Sequence, residues 1–307
     1  MREPSLGGMV QTEQDRKRPL LRAGNMNCGG CGMSNIFQLL SHAVGGREVK
    51  LVIPACCGAI TAHTYPQSAF DVPTILTTFA SAASVATGIA SVARLNNEET
   101  RVICMAGDGG TYDIGMATLS AAAERNENIL YICYDNEIYG NTGGQRSSST
   151  PAGAVTSSTP RGKTESKKDI MAIMAAHRIP YAATVSIAHA EDAVDKMRTA
   201  LDTSGFRFLH ILSPCPTGWK SEPAMGIELV RLAVRSGLFP VYEVFHGDRY
   251  VINIEPDFSD EALAMYLSLQ RRFRKSGVTE TSLRPAIDKY WHGLRMLSGR
   301  IVPARRH

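Results

Sequence analysis

The feature that most constrains the fold lies between residues 101 and 145, where two apolar segments flank a helical one. Residues 101–106 form a short apolar run before a glycine, which is typical of a buried parallel strand. Residues 113–125 carry apolar side chains at helical spacing, and residues 128–134 form a second apolar run. Strand, helix and strand in this order predict a βαβ unit and an α/β protein.

Polar residues follow both predicted strands, at the edge of the sheet where such folds bind ligands. Gly107, Gly109 and Gly110 allow the backbone to approach a ligand closely and leave amides free for an anion. Asp108 is a carboxylate suited to Mg²⁺, and Asn136 offers a neutral amide oxygen to the same ion. A Gly-Asp-Gly sequence alone is usually a turn, but together with an Asn at the spacing of Asn136 it resembles the thiamine diphosphate-binding motif.

Three further segments extend the pattern: Tyr112-Asp-Ile-Gly115, Tyr131-Ile-Cys-Tyr-Asp-Asn-Glu137 and Asn141-Thr-Gly-Gly-Gln145. Together they resemble the β subunit of a 2-oxoacid:ferredoxin oxidoreductase, most familiarly the pyruvate enzyme, over about residues 22–245. The resemblance implies a doubly wound, mostly parallel sheet of the thiamine diphosphate-binding fold with a C-terminal extension.

The resemblance also implies which residues meet the cofactor. Mg²⁺ would be held by Asp108, the Asn136 side chain and the backbone carbonyl of Ile138. Asn141 and Thr142 match the turn that faces the diphosphate and the substrate, and Asn141 would act in catalysis by hydrogen-bonding the substrate. The expected cofactor-binding set is therefore Gly107, Asp108, Gly109, Gly110, Asn136, Ile138, Asn141 and Thr142.

The seven cysteines point to metal or redox chemistry. Cys28 and Cys31 lie on a glycine-rich turn, and this spacing alone fits zinc, an iron–sulfur cluster or a thioredoxin-like pair. Cys57 and Cys215 follow predicted strands and would complete four thiolates.

The family resemblance implies that Cys28, Cys31, Cys57 and Cys215 hold one 4Fe–4S cluster. The third ligand is open: alignment on the flanking residues favours Cys57, while loop length favours Cys56. Cys104 and Cys133 lie inside apolar strands and are expected to be small buried hydrophobic residues.

The reaction implied is thiamine-dependent oxidative decarboxylation of a 2-oxoacid, foremost pyruvate. Coenzyme A would take the acyl group, and the electrons would pass through the cluster to ferredoxin. The glutamate that touches the thiamine ring in such enzymes comes from another chain in this family, so we expect a complex with α, γ and δ type subunits. Glu137 is not assigned that role. The alternatives are the same chemistry on oxalate without coenzyme A, another 2-oxoacid, or a non-catalytic zinc-binding structural subunit.

Composition excludes several other classes. A net charge of +4 gives no reason to expect nucleic acid, and the basic residues near His307 are expected to form a solvated tail. No apolar run is long enough for a membrane span, and the N-terminus lacks a signal-peptide centre, so we expect a cytoplasmic protein. His63, near the Cys57 loop, receives no role.

Three units are expected along the chain. Residues 1–21 would form an arm on a partner subunit, and residues 22–236 the thiamine diphosphate-binding domain with the cluster ligands. Residues 237–307 would form an extension for subunit contact, which ends in two helices expected over residues 260–274 and 285–297. Residues 146–168 form a polar loop whose length indicates either a functional or a disordered segment.

Overall fold

One sheet organises the protein, for which a computed structural model describes residues 19–62 and 66–299. Most of the expected N-terminal arm (1–18), His63 (within 63–65) and the basic tail (300–307) lie outside the described residues. The strands are β1 (Glu48–Pro54), β2 (Thr74–Thr77), β3 (Thr100–Gly107), β4 (Leu130–Asp135), β5 (Tyr181–Ser186), β6 (Arg207–Leu212), β7 (Val241–Phe245) and β8 (Arg249–Ile254).

The strand order across the sheet is β2-β1-β3-β4-β6-β5-β7-β8. Strands β1 to β6 are parallel, whereas β7 pairs antiparallel with β5, and β8 pairs antiparallel with β7. The α/β class and the mostly parallel sheet are therefore confirmed. The last two strands belong to the expected C-terminal extension and lengthen the same sheet.

Helices cover both faces of the sheet, as doubly wound folds require. Their bounds are α1 (Gly32–Val44), α2 (Cys57–Thr61), α3 (Ala82–Leu95), α4 (Met116–Glu124), α5 (Ile170–Ala176), α6 (Ala190–Asp202), α7 (Pro216–Trp219), α8 (Gly226–Arg235), α9 (Asp260–Ser268) and α10 (Glu280–Leu297). Helices α1, α6 and α8 pack in one hydrophobic cluster, and α3, α4, α5 and α10 pack in the other.

Strand β4 shows why the central apolar runs are continuous. Leu130, Ile132 and Tyr134 belong to one hydrophobic cluster, while Tyr131 and Cys133 belong to the other. Successive side chains of a strand point to opposite faces, and both faces of this strand are buried.

Two helix boundaries differ from the sequence-based expectation. The helix expected over 113–125 is divided, because a π-helical turn (Gly109–Asp113) comes first and α4 begins at Met116. The last helix was expected from Pro285, but it begins at Glu280. The Thr279 hydroxyl accepts from the Ser282 amide and completes a capping box there.

Two further differences lie at the edges of the molecule. Strand β2 was not expected, because Ile75 and Leu76 are half exposed and the four-residue segment lacks a buried pattern. The helix expected over 260–274 ends at Ser268, and a 3₁₀ turn (Arg271–Phe273) follows it. No helix in the described part of the chain has the length and apolar character that a membrane span requires.

Candidate functional site

The site forms where four adjacent strands end. In the order β1, β3, β4 and β6, their carboxyl ends lead directly to Cys57, Asp108, Asn136 and Cys215. Parallel strands end at the same edge of a sheet, so residues far apart in sequence meet there. The architecture therefore places thiol, carboxylate and amide groups along one edge.

Asp108 is a buried carboxyl group with few compensating partners. Its side chain is 1% exposed, and the hydrogen bond recorded for its carboxylate comes from the Ser147 hydroxyl. Burial, followed by the neighbouring Asp135 carboxylate, raises the pKa of Asp108 well above its ordinary value. A buried negative charge needs a cation to offset lost hydration, so this environment fits a divalent metal ion.

The glycines beside Asp108 permit a close backbone approach. A Cβ atom on Gly109 would lie 2.3 Å from the Tyr139 ring, which no real side chain could share. Gly109 also opens the π-helical turn, whose first amides have no partner within the helix. Free amides of this kind can bind an anion such as the diphosphate that is expected here.

The second expected metal ligand lies in a tight turn after β4. Asn136 and Ile138 are both 7% exposed, and the Asn136 side-chain oxygen accepts from the Ile138 amide at 3.2 Å. An amide oxygen has a second lone pair, so this bond does not exclude a metal contact. The Trp219 indole donates to the Asn136 carbonyl at 2.8 Å.

Asn141 and Thr142 occupy an exposed turn nearby. The Cys57 thiol donates to Asn141 Oδ1 at 3.4 Å, which places Asn141 beside that cysteine. The Thr142 hydroxyl donates to Gln145 within the same turn. Asn141 and Thr142 are both exposed to solvent.

The four expected cluster ligands lie in one region. The pKa of the Cys57 thiol is raised to about 12, first by burial and then by nearby Cys215, Cys56, Cys31 and Cys28. Burial also raises the pKa of Cys31, to about 11, and that of Cys215. These thiols resist ionisation without a metal, and a bound metal centre would reverse that preference.

Two glycine-dependent contacts bring the cysteine loops together. The Gly32 amide donates to the Pro214 carbonyl at 3.0 Å, and a Cβ on Gly32 would lie 2.4 Å from the Pro214 ring. Gly218 packs equally closely, because its Cβ would lie 2.7 Å from Ile138. The Cys31 and Cys215 loops thus touch each other, and the Cys215 loop touches the Asn136 turn.

Cys56 and Cys57 point in different directions. Cys56 donates to the Pro54 carbonyl at 2.9 Å, and burial raises its pKa. Cys57 faces Asn141 and the other cysteines. Cys104 and Cys133 are fully buried inside strands, in agreement with their expected role as small hydrophobic residues.

In the described part of the chain, no three or more His, Cys, Asp or Glu side chains are arranged around one metal ion. This finding supports neither the zinc alternative nor the expected Mg²⁺ and 4Fe–4S sites, which stay predictions. Cluster-binding cysteines surround a larger object than a single ion, so their sulfurs stand farther apart than those of a tetrahedral zinc site.

Comparisons with known proteins identify the family of this chain. A family model described as "Thiamine pyrophosphate enzyme, C-terminal TPP binding domain" matches residues 55–211. The pyruvate synthase subunit PorB of Methanothermobacter marburgensis is 42% identical, over 83% of this chain and 89% of the relative. The ketoisovalerate oxidoreductase subunit VorB of Pyrococcus furiosus is also 42% identical, over 90% of this chain and 92% of the relative.

This chain belongs to the family of 2-oxoacid:ferredoxin oxidoreductase β subunits. It therefore carries a thiamine diphosphate-binding domain. A solved structure titled 2-oxoglutarate:ferredoxin oxidoreductase from Magnetococcus marinus, with 2-oxoglutarate, coenzyme A and succinyl-CoA bound, has the same fold. Its TM-score is 0.58 at 21% identity, covering 73% of this chain and 82% of that one.

Sequence patterns did not reveal the polar loop's role in this β subunit. The loop is ordered, and its buried hydroxyls bind the site: Ser147 donates to Asp108, and Ser149 donates to both Asp135 oxygens, at 2.5 and 2.6 Å. The Thr150 hydroxyl donates to the Glu137 carbonyl at 2.7 Å. The abundance of serine and threonine was the available signal, but it did not show which partners they would meet.

A buried ionic network lies behind the same turn. Lys167 donates to Asp135 at 2.7 Å and to Glu137 at 3.1 Å, and Arg272 donates to the other Glu137 oxygen at 2.7 Å. Asp135 also meets His210 Nε2 at 2.7 Å. Although burial opposes it, the Lys167 ammonium and His210 hold the pKa of Asp135 well below its ordinary value. No sequence motif indicated Lys167 or Arg272.

A cavity of about 280 Å³ lies on the far side of this network. Tyr112 and Lys167 line it on the network side, and Phe239, Ile287 and Tyr290 line it on the side of β7 and α10. None of the expected cofactor-binding residues lines this cavity, but Glu137, which lies between Asn136 and Ile138, does.

Proposed function

We propose that this β subunit binds thiamine diphosphate with Mg²⁺ and carries one 4Fe–4S cluster for the oxidative decarboxylation of a 2-oxoacid. The observation that carries the proposal is the convergence of Cys57, Asp108, Asn136 and Cys215 on adjacent strand ends. Thiol ligands and a buried carboxylate then lie side by side, as a thiamine site coupled to a redox centre requires.

On the diphosphate side, Asp108, Asn136 and the Ile138 carbonyl would hold Mg²⁺. Burial of Asp108 supports this assignment, because a cation offsets the cost of its charge. The amides of the Gly107–Gly110 segment would neutralise the diphosphate. Thr142 would border the diphosphate from the exposed turn.

On the cysteine side, Cys28, Cys31, Cys57 and Cys215 would bind the cluster. Bound thiamine diphosphate supplies the carbanion chemistry of decarboxylation, and a bound cluster accepts the electrons. Asn141, which lies against Cys57, would hydrogen-bond the substrate between the two cofactors.

For the substrate, we propose pyruvate, with acetyl-CoA and CO₂ as products. Support comes from the name of the Methanothermobacter relative. The branched acid 2-oxoisovalerate is the second candidate, because the Pyrococcus relative named for it is equally similar. Oxalate receives no support from these relatives.

The proposed overall reaction converts one 2-oxoacid, one coenzyme A and two one-electron equivalents of oxidised ferredoxin into acyl-CoA, CO₂, two equivalents of reduced ferredoxin and a proton. A partner chain would supply the glutamate for the thiamine ring, within a complex of α, γ and δ type subunits. The names of the relatives support a multi-subunit complex, since each is called a subunit.

The test is an anaerobic absorption and electron paramagnetic resonance experiment on the purified complex. Pyruvate should bleach the cluster absorbance, and coenzyme A should allow repeated turnover with ferredoxin. Bleaching by 2-oxoisovalerate alone would reassign the substrate, whereas zinc in place of iron would refute the redox proposal. An Asp108→Ala complex should keep its iron but show no bleaching, which separates the two cofactor sites.

A further inference from the structure

Glu137 stands at the centre of the proposed metal-binding turn in an unfavourable backbone conformation. Its φ is +63°, in the left-handed region that non-glycine residues seldom occupy. The neighbours on either side are the proposed ligands Asn136 and Ile138. Such a conformation persists only where surrounding contacts enforce it, and it often marks a functional site.

The contacts that enforce this conformation converge from distant segments. The Glu137 amide donates to Asp135 Oδ1 at 3.0 Å, and its carbonyl accepts from Thr150 at 2.7 Å. Its carboxylate, 7% exposed, lies between Lys167 and Arg272. The backbone and the side chain of Glu137 are therefore both held.

Arg272 is the contact farthest away in sequence, and its side chain is 2% exposed. It belongs to the 3₁₀ turn after α9, in the C-terminal extension. Its guanidinium lies 4.5 Å from the centre of the Trp219 ring and 4.9 Å from that of Phe273. Because Trp219 also donates to the Asn136 carbonyl, Arg272 supports the turn through two separate contacts.

We propose that Arg272 and Glu137 form a positioning pair that holds the Asn136 turn in its metal- and diphosphate-binding conformation. The C-terminal extension then contributes directly to cofactor affinity rather than to subunit contact alone. The inference rests on the proposed function, since it takes Asn136 and Ile138 as metal ligands. Groups that orient metal ligands typically change metal affinity by about 10- to 100-fold when they are replaced.

The test measures the dissociation constant of thiamine diphosphate with Mg²⁺, using the assembled complex after cofactor removal with a chelator. Arg272→Met and Glu137→Gln should each weaken binding by about 10- to 100-fold. At saturating cofactor, the KM for the 2-oxoacid should match that of the wild type. The double variant should lose little more than either single variant, because the two residues act as one unit.

Two variants separate positioning from general stability. Arg272→Lys restores the charge without the planar stacking on Trp219, so cofactor affinity should recover in part. Arg284→Met is the matched control, because Arg284 also anchors the extension, through Asp260 and the Ser236 carbonyl, but does not contact the turn. It should lower the melting temperature and leave cofactor affinity unchanged.

Specific results would overturn the proposal. If Arg272→Met and Arg284→Met lower the melting temperature alike and both bind cofactor as the wild type does, Arg272 is merely structural. Should Arg272→Met fail to fold, Glu137→Gly decides, because glycine accepts the left-handed backbone without strain. Wild-type affinity in Glu137→Gly would show that the carboxylate positions nothing. A wild-type complex that binds no thiamine diphosphate would instead refute the proposed function itself.

Discussion

The two sides of the site are held in different ways. On the diphosphate side, Asp108 and Asp135 are almost completely buried, and hydroxyls from the 146–168 loop meet both. On the cysteine side, Cys28 is exposed, while Cys31 and Cys215 are half-buried and free of disulfides. One side is built from side-chain hydrogen bonds, and the other from backbone contacts that glycines permit.

The two sides therefore differ in how far each is formed before a cofactor binds. The Asn136 turn already has its conformation, because ion pairs and hydroxyls enforce it. The thiols of Cys31 and Cys57 have raised pKa values, since burial and mutual repulsion disfavour their thiolates. We therefore expect the diphosphate side to tolerate cofactor loss with little structural change, and the cysteine side to depend on its metal centre for order.

The largest expected effect is at Asp108. Asp108→Asn should weaken cofactor binding more than about 100-fold, because Asp108 is a proposed metal ligand. Replacing a group that only orients a ligand typically costs about 10- to 100-fold. The cofactor-free protein should be no less stable, because burial disfavours the carboxylate. Cofactor titration measures the affinity, and thermal unfolding measures the stability of the cofactor-free protein. An unchanged affinity would show that the buried Asp108 does not hold the cofactor.

The next effect distinguishes the adjacent cysteines. Cys57→Ser should lose the cluster signal and most of the bound iron, because Cys57 faces the other cysteines. Cys56→Ser should retain both, since Cys56 donates to a backbone carbonyl instead. Iron analysis of the anaerobically purified complexes decides, and the reverse pattern would make Cys56 the third ligand.

A pair of glycine substitutions tests the backbone contact on the cysteine side. Gly32→Ala should cost about 1–3 kcal/mol of stability, because its Cβ would overlap Pro214. Gly29→Ala, in the same turn, has open space around the new methyl group and should be nearly neutral. Denaturant unfolding and iron content are the measurements. Equal losses in both variants would show that chain flexibility, not close packing, matters here.

A smaller effect is expected from the loop hydroxyl that meets Asp108. Ser147→Ala removes a hydrogen bond to a buried carboxylate, so Mg²⁺-dependent cofactor binding should weaken by roughly tenfold. Ser157→Ala is the control, because Ser157 is exposed in the same loop. If both variants bind as the wild type does, the loop does not contribute to the preorganised side.

The smallest effect concerns a buried charge away from both sides. Burial lowers the pKa of Lys196, which donates to Asp192 and to the Thr184 carbonyl. Between that lowered pKa and the ordinary value, the unfolded chain binds more protons, so wild-type stability should rise with pH. Lys196→Met should lack this slope and differ by less than about 1 kcal/mol at neutral pH. The free energy of unfolding, measured at several alkaline pH values for both proteins, checks the sign of this slope.

The βαβ pattern and the Gly-Asp-Gly to Asn spacing were sufficient to predict the fold class and the edge that carries the site. Strand β2 escaped prediction because its exposed residues follow no burial pattern. The metal and cofactor roles of Asp108, Asn136 and the cysteines remain predictions, although the structure brings these residues to one edge.

The sequence by itself determined the buried strands and the polar residues that follow them, because strand periodicity and turn chemistry are local properties. The tertiary structure alone decided which distant side chains meet those residues. Arg272 reaches Glu137 across 135 positions, and Ser147 reaches Asp108 across 39. Neither contact leaves a local pattern, because both arise only when the sheet edge, the polar loop and the extension pack together.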